Sequence, residues 1–379
     1  MDIFDKSDSR TQKSKKYNRI KIILSITDIV MTIAMLSVLA WSGISAVIAS
    51  LVSGFFSNEY LKFMAFLLTA GAGFSLIGLP LDFYGGYVLE HRFGLSNQTV
   101  LKWLAEKIKA AAVSLVLGAP LSIAFLFFLR TAGGLWWLFF GTAVILFSVV
   151  LASIAPVVIF PLFYKFKKIE NEELMEKLLS LLGDMRKKTT GVYSFNMSKD
   201  TKKANAGFTG IGGSRRIILS DTLLEKFTDA EILTVFAHEV GHYRKRHILK
   251  NIAISVAVTY SSLYPCGLAY GMSLRAMGFT EVHDIAAIPI LLFYLSVWGL
   301  ATMPLMNWIS RRFEVQADAY ALEASGDVTA FISSMEKLAE INLADRDPHP
   351  LAEFLFYSHP SIKKRTGFAR DFGRNRITS

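Results

Sequence analysis

Cysteine is almost missing from this chain, with one residue, Cys266, in 379. A single thiol rules out an internal disulfide and any cysteine-built zinc cage, so a metal would have to be held by histidine and carboxylate. Cys266 sits in an apolar run and reads as a small packing residue. Charge is scarce as well: 19% of residues are charged against 52% hydrophobic, which is outside the range of an ordinary soluble domain. Acids are the scarcer sign, 31 against 41 Lys and Arg, for a net charge of +10. The basic residues lie beside apolar runs, where they act as topology signals and meet anionic lipid. Membrane lipid is therefore the expected partner and nucleic acid is set aside. Internal repeats and low-complexity tracts are absent too, so a solenoid is excluded.

What is present in quantity is long apolar runs, each near the roughly 20 residues that cross a bilayer. They lie at about 22–42, 61–81, 109–129, 135–160, 251–273 and 285–308. The fold class expected is mainly α, a polytopic membrane protein with about six transmembrane helices. The first run is too long for a signal-peptide core and has no small-residue cleavage site, so it reads as a span. Asp28 within it is costly unless it meets water or protein. Residues 43–58 are small and moderately apolar and fit a loop, an interfacial segment or an extension of the first span; a seventh crossing there is the alternative. Pro156 and Pro161 should bend or end the fourth helix.

Between 165 and 250 the composition turns polar. Leu174, Leu178, Leu179 and Leu182 repeat at helical spacing over 170–188, and strand-like pieces follow at 191–196 and 216–219, with 205–209 a candidate third. Residues 1–164 thus hold the first four spans, 165–250 a polar insert, 251–308 spans five and six, and 309–379 a polar, largely helical tail. Segments 1–21, 82–108, 165–250 and 309–379 carry nearly all the Lys and Arg, whereas 43–60, 130–134 and 274–284 hold only Arg130 and Arg275. Six spans put these two sets on opposite sides, with both termini and the insert in the cytosol. A seventh crossing would break the alternation.

The chemistry is concentrated in Phe236-Ala237-His238-Glu239-Val240-Gly241-His242, an H-E-x-x-H pattern. On a helix, His238 and His242 share a face and can reach one metal ion, with Glu239 beside the open position. Thr228-Asp229-Ala230-Glu231 opens that helix as a capping box. A catalytic zinc needs a third ligand, which here must be His, Asp or Glu. Glu314 and Asp318, four apart after the sixth run, are the leading pair: Glu314 to bind zinc, Asp318 to support a ligand histidine from behind. His247 is five residues beyond His242, turns partly away from the ligand face and reads as interfacial. His91 reads as solvent-facing or locally hydrogen-bonded.

Taken together these stretches resemble the integral-membrane gluzincin metalloproteases of the CAAX prenyl protease 1 type. The resemblance rests on Glu90-His91-Arg92-Phe93-Gly94, Pro161 to Phe166, Ala204 to Gly210, Ala237 to His242, Glu314 to Asp318, and Phe356 to Ser361 with Arg365. It departs at His91, where an acid is usual, and in a shortened loop between spans five and six. The resemblance implies a gluzincin-type zinc domain with a small β-sheet, Glu314 as third zinc ligand, and Asn205, with Ala206, on an edge strand that binds the substrate backbone. It also implies that His359 and Arg365 stand near the metal.

The expectation is therefore one zinc ion, with Glu239 as general base and His359, joined by Arg365, stabilising the oxyanion; Arg365 paired to Asp318 is the other reading. Substrates would be peptides or proteins, prenylated at the C-terminus if the resemblance extends so far. The membrane would be a bacterial plasma membrane, or the endoplasmic reticulum in a eukaryote. The rival readings are an intramembrane site-2-type protease, a quality-control protease of the heat-shock type, and a transporter or scaffold with structural zinc. Tyr243-Arg244-Lys245-Arg246-His247 directly after the motif argues against the first, because there the motif lies inside an apolar span.

Overall fold

The computed structural model describes residues 2–183 and 189–377, with side chains from 10 to 376. Helix α1 (Asp2–Trp41) carries the basic N-terminal stretch and the first apolar run as one rod. A left-handed Gly43 then turns the chain into α2 (Ile44–Phe55). At 12 residues, or about 18 Å, α2 is too short for a hydrocarbon core of about 30 Å. It packs beside α3 (Glu59–Phe83) and the short turn Ile285–Ala287, where the Ser45 hydroxyl donates to the Ala286 carbonyl at 2.6 Å. The chain thus has six helices long and apolar enough to cross a membrane among the described residues.

Helix α3 runs on through a π-turn, Tyr84–Val88, into α4 (Leu89–Arg92). After α5 (Val100–Thr131), α6 (Trp136–Ile154) passes through a second π-turn, Ala155–Ile159, into α7 (Phe160–Phe163), where it stops. Pro156 has no N–H to give the ladder, so the helix widens there rather than continuing regularly. Asp28 lines a cavity of about 710 Å³ between α1, α3 and α5, together with Lys21, Asp82 and Lys107. Asp28 shares this cavity with two lysines, which lowers the cost of its position.

Four strands follow in part: β1 (Phe166–Lys168), α8 (Glu172–Leu182), β2 (Val192–Phe195), β3 (Ala206–Thr209) and β4 (Arg216–Ser220). Residues 184–188 of the expected helical stretch lie outside the described residues. The sheet order is β1-β2-β4-β3, with β2 and β4 parallel and the outer pairs antiparallel, so β3 is an edge. Strand β1 went unread in the sequence because three residues are too few to show alternation. Leu174, Leu178, Leu182, Ile217, Leu219, Ile232 and Phe236 join α8, the sheet and the zinc helix in one core.

The last elements are α9 (Asp221–Lys226), α10 (Asp229–Arg244), α11 (His247–Met277), α12 (Ile288–Ser325), α13 (Val328–Ile341), α14 (Pro350–Phe356) and α15 (Ile362–Ile377). Helix α12 is one rod of 38 residues, without a break where the apolar run ends near 308. The span and the Glu314 segment are thus rigidly joined.

Candidate metal centre and peptide cleft

Helix α10 begins at the expected capping box: the Glu231 carboxylate accepts from the Thr228 N–H at 2.8 Å. Glu231 is buried and also meets the Lys337 ammonium and the Ser333 hydroxyl, each at 2.6 Å. Burial by itself would raise its pKa; the Lys337 ammonium, Ser333 and the Thr228 amide more than offset that and hold it low. The helix then packs along α12. A Cβ on Gly241 would stand 3.0 Å from the Cα and carbonyl oxygen of Ala317. Glycine at 241 and alanine at 317 therefore let the two helices close, which brings Glu314 to the histidines.

The nitrogen Nε2 of His238 lies 3.1 Å from Nε2 of His242, and Glu314 stands 3.3 Å from His238 Nε2 through Oε2 and 3.3 Å from His242 Nε2 through Oε1. These three residues form the group able to hold a metal ion among the described residues. A tetrahedral zinc with bonds of roughly 2.0–2.1 Å needs donors about 3.3 Å apart, so the spacing fits. The buried Glu314 Oε2 has no hydrogen-bond partner, as expected of an atom whose partner is a metal. Burial would lower the His238 pKa, but the facing carboxylates of Asp318 and Glu314 raise it, so the pocket favours a positive charge of the kind a metal ion would supply.

Both histidines are held from behind. His238 Nδ1 meets Asp318 Oδ1 at 2.8 Å, and a carboxylate accepts only, so the proton sits on Nδ1 and Nε2 is free for metal. Arg365 grips Asp318 with Nε and Nη2 at 2.8 and 2.5 Å and is itself buried. The expectation that Arg365 acts directly on the oxyanion gives way to the ion-pair reading: its fork is committed to Asp318.

His247 is a correction. It does not continue the zinc helix, because Arg246 takes a left-handed φ of 57° and breaks it. His247 instead turns inward, 1% exposed, stacked on Phe313, with Nδ1 2.9 Å from His242 Nδ1 and Nε2 3.0 Å from Gln316 Oε1. The Lys250 ammonium, 3.5 Å from the same Gln316 oxygen, sets which end of the amide faces this way. Gln316 Oε1 then accepts from His247 Nε2–H, His247 Nδ1 accepts from His242 Nδ1–H, and His242 Nε2 is left for metal. Sequence reasoning misread His247 and missed Gln316, because nothing in a linear pattern pairs residues 69 apart.

Glu239 is half-buried beside the metal donors, and its Oε2 accepts the backbone N–H of Phe208 at 3.0 Å. That N–H points away from β4, so it belongs to the open edge of β3. Asn205 is exposed at the start of this edge and its side chain holds the Ala206 N–H at 2.9 Å. His359, with 60% of its side chain exposed, puts Nε2 3.5 Å from Glu314 Oε1. Asn205, Ala206, His238, Glu239, Glu314, His359 and Arg365 thus line one cleft of about 360 Å³, whose apolar side is Leu223, Val235, Met335 and Leu338. His91 is locally hydrogen-bonded, to the carbonyls of Tyr87 and Gln98, away from the cleft.

The profile described as peptidase family M48 matches residues 168–371. That described as the CAAX prenyl protease N-terminal region, with five membrane helices, matches residues 4–165. This chain has four long helices there plus the short α2. An uncharacterized metalloprotease of Bacillus subtilis, YhfN, is 31% identical, covering 93% of this chain and 83% of its own. CAAX prenyl protease 1 of Saccharomyces cerevisiae is 30% identical over 77% of this chain and 68% of its own. The crystal structure of S. mikatae Ste24p superposes with a TM-score of 0.86 at 27% identity, over 96% of this chain and 89% of that one.

Proposed function

The chain belongs to peptidase family M48 and is a multi-pass membrane zinc metalloprotease, and from that premise we propose that it is an endopeptidase cutting CAAX-type or other membrane-associated peptides at the cytosolic face. The observation that supports this reading is the grouping of His238, His242 and Glu314 as metal donors, with His238, Glu314, Glu239 and the start of the open strand edge lining one cleft. His238, His242 and Glu314 would hold the metal. Zinc bound there supplies a Lewis acid that polarises the scissile carbonyl and acidifies a water.

Glu239 takes the proton from the attacking water on its carboxylate and passes it to the leaving amine. The Phe208 N–H orients that carboxylate from the strand edge. The peptide adds to the free edge of β3 as one more antiparallel strand, with Asn205 and Ala206 holding its backbone. Leu223, Val235, Met335 and Leu338 offer an apolar side chain a place beside the scissile bond. His359 stabilises the oxyanion from across the cleft. Asp318 and Arg365 keep His238 in its ligating tautomer.

The cytosolic orientation rests on the basic loops lying on the zinc-domain side. The CAAX assignment rests on the names of relatives such as the yeast protein. The test compares N-terminal peptides of the membrane proteome in active and Glu239→Gln backgrounds. We expect Glu239→Gln to keep its zinc and lose turnover by a factor on the order of 10³ or more. Near-normal turnover would remove Glu239 from the role, and cleavage sites away from C-termini would remove the CAAX reading.

A further inference from the structure

Two cavities outside the cleft meet at the boundary between the zinc domain and the spans. The first, about 280 Å³, is lined by Arg215, Arg244 and Arg246 with Ile211, Ile248 and Leu249, and by no acid among the described residues. The second, also about 280 Å³, runs between α6 and α11; its walls are mostly apolar, with Ile145, Val149, Ala152, Ile248 and Ile252, interrupted by Ser148, Asn251, Ser255 and Thr259. Ile211 and Ile248 belong to both. A cationic mouth thus opens onto an apolar groove that descends between two membrane spans. From Ile248 to Thr259 the groove follows about 16 Å of α11.

The arginines are not used up by the protein. Arg215 rests on the Tyr243 ring and donates to its hydroxyl, and Arg244 donates to the Leu182 carbonyl. None of the three forms an ion pair among the described residues, and the Arg246 side chain has no hydrogen-bond partner there. Arg246 also holds the chain's left-handed turn between α10 and α11, a conformation disfavoured for a residue with a Cβ. Three guanidiniums line this one pocket with no acid among its described lining residues, and an anion there would offset their like charge.

We propose that this composite pocket binds one anionic phospholipid of the surrounding bilayer, phosphate on Arg215 and Arg246 and an acyl chain between α6 and α11. A peptide fits the groove poorly, because backbone entering between lipid-facing spans would leave its N–H and C=O groups unpaired. Zwitterionic lipid lacks the net charge that the mouth requires. Ile211 follows β3 after only Gly210, so the bound lipid braces the end of the strand edge that borders Glu239. The site stands on this geometry and not on the peptidase reading.

The test uses the purified full chain in neutral detergent and native mass spectrometry with phosphatidylglycerol and phosphatidylcholine of matched chains. We expect one phosphatidylglycerol retained per chain, well above phosphatidylcholine. Arg215→Gln with Arg246→Asn, which relieves the left-handed strain, should weaken retention by roughly thirtyfold, from about 1 kcal/mol per arginine. Ile252→Trp, which fills the groove without touching charge, should weaken it as well. Lys15→Gln with Lys16→Gln, an equal charge change on exposed α1, should leave it unchanged. Equal retention of the two lipids, retention by the arginine pair variant, or equal loss in the lysine control would each overturn the site. So would loss of peptide binding in the arginine variant without any lipid being retained by the parent.

Discussion

The metal donors are aimed by residues that never touch the metal. Gln316 sets the tautomer of His247, which sets that of His242, while Asp318 does the same for His238. Gln316→Leu leaves a buried imidazole N–H without an acceptor and frees His242 to take the wrong tautomer. We expect zinc affinity to fall roughly 10–100-fold, read by competition with a chromophoric chelator, with an altered cobalt-substituted spectrum. Gln316→Glu keeps an acceptor oxygen and should recover most of the loss; an unchanged affinity in Gln316→Leu would break the relay. His238, His242 and Glu239 were legible because a local spacing of four declares them. His247 and Gln316 were not, since their pairing joins residues 69 apart across two spans.

The same logic operates between elements. Helix α10 can lie on α12 only because Gly241 faces Ala317. Gly241→Ala should push the helices apart, cost about 1–3 kcal/mol and weaken zinc binding, whereas Gly271→Ala, with nothing within 4 Å, should be neutral or stabilising. Comparing melting temperatures with and without zinc separates the two; equal behaviour would remove the close approach as the cause. The start of α10 gives a pH prediction. Glu231 has a folded pKa held below its unfolded value near 4.3. Its contribution is therefore present above that value and is lost as pH falls through the folded pKa. Glu231→Gln should destabilise the fold at about pH 6 by about 1–2 kcal/mol and flatten the acid limb below the unfolded value. An acid limb identical to the parent would exclude it.

For the whole molecule, if the six long apolar helices each cross and the short α2 does not, the basic segments fall on one side. Cys266 is buried, so it stays silent in a labelling experiment. A cysteine at Lys168, in β1, should react with an impermeant maleimide only from the cytosolic side, and one at exposed Glu281 only from the other. Reaction of both from one side would refute the six-span topology, and inverted sidedness would place the cleft outside.

The sequence by itself determined the number of long apolar runs and the H-E-x-x-H helix with its cap and two histidines, and offered 205–209 as a candidate strand. Those depend on short-range periodicity, composition and charge, which a linear reading contains. The resemblance pointed further, to Glu314 and Arg365, without saying what each touches. Only the tertiary structure decided that Arg365 grips Asp318, that His247 turns inward behind His242, and that α12 carries Glu314 from a span to the histidines without a break. The reason is that these contacts depend on how closely helices approach, and that distance is set by small residues facing each other across the fold.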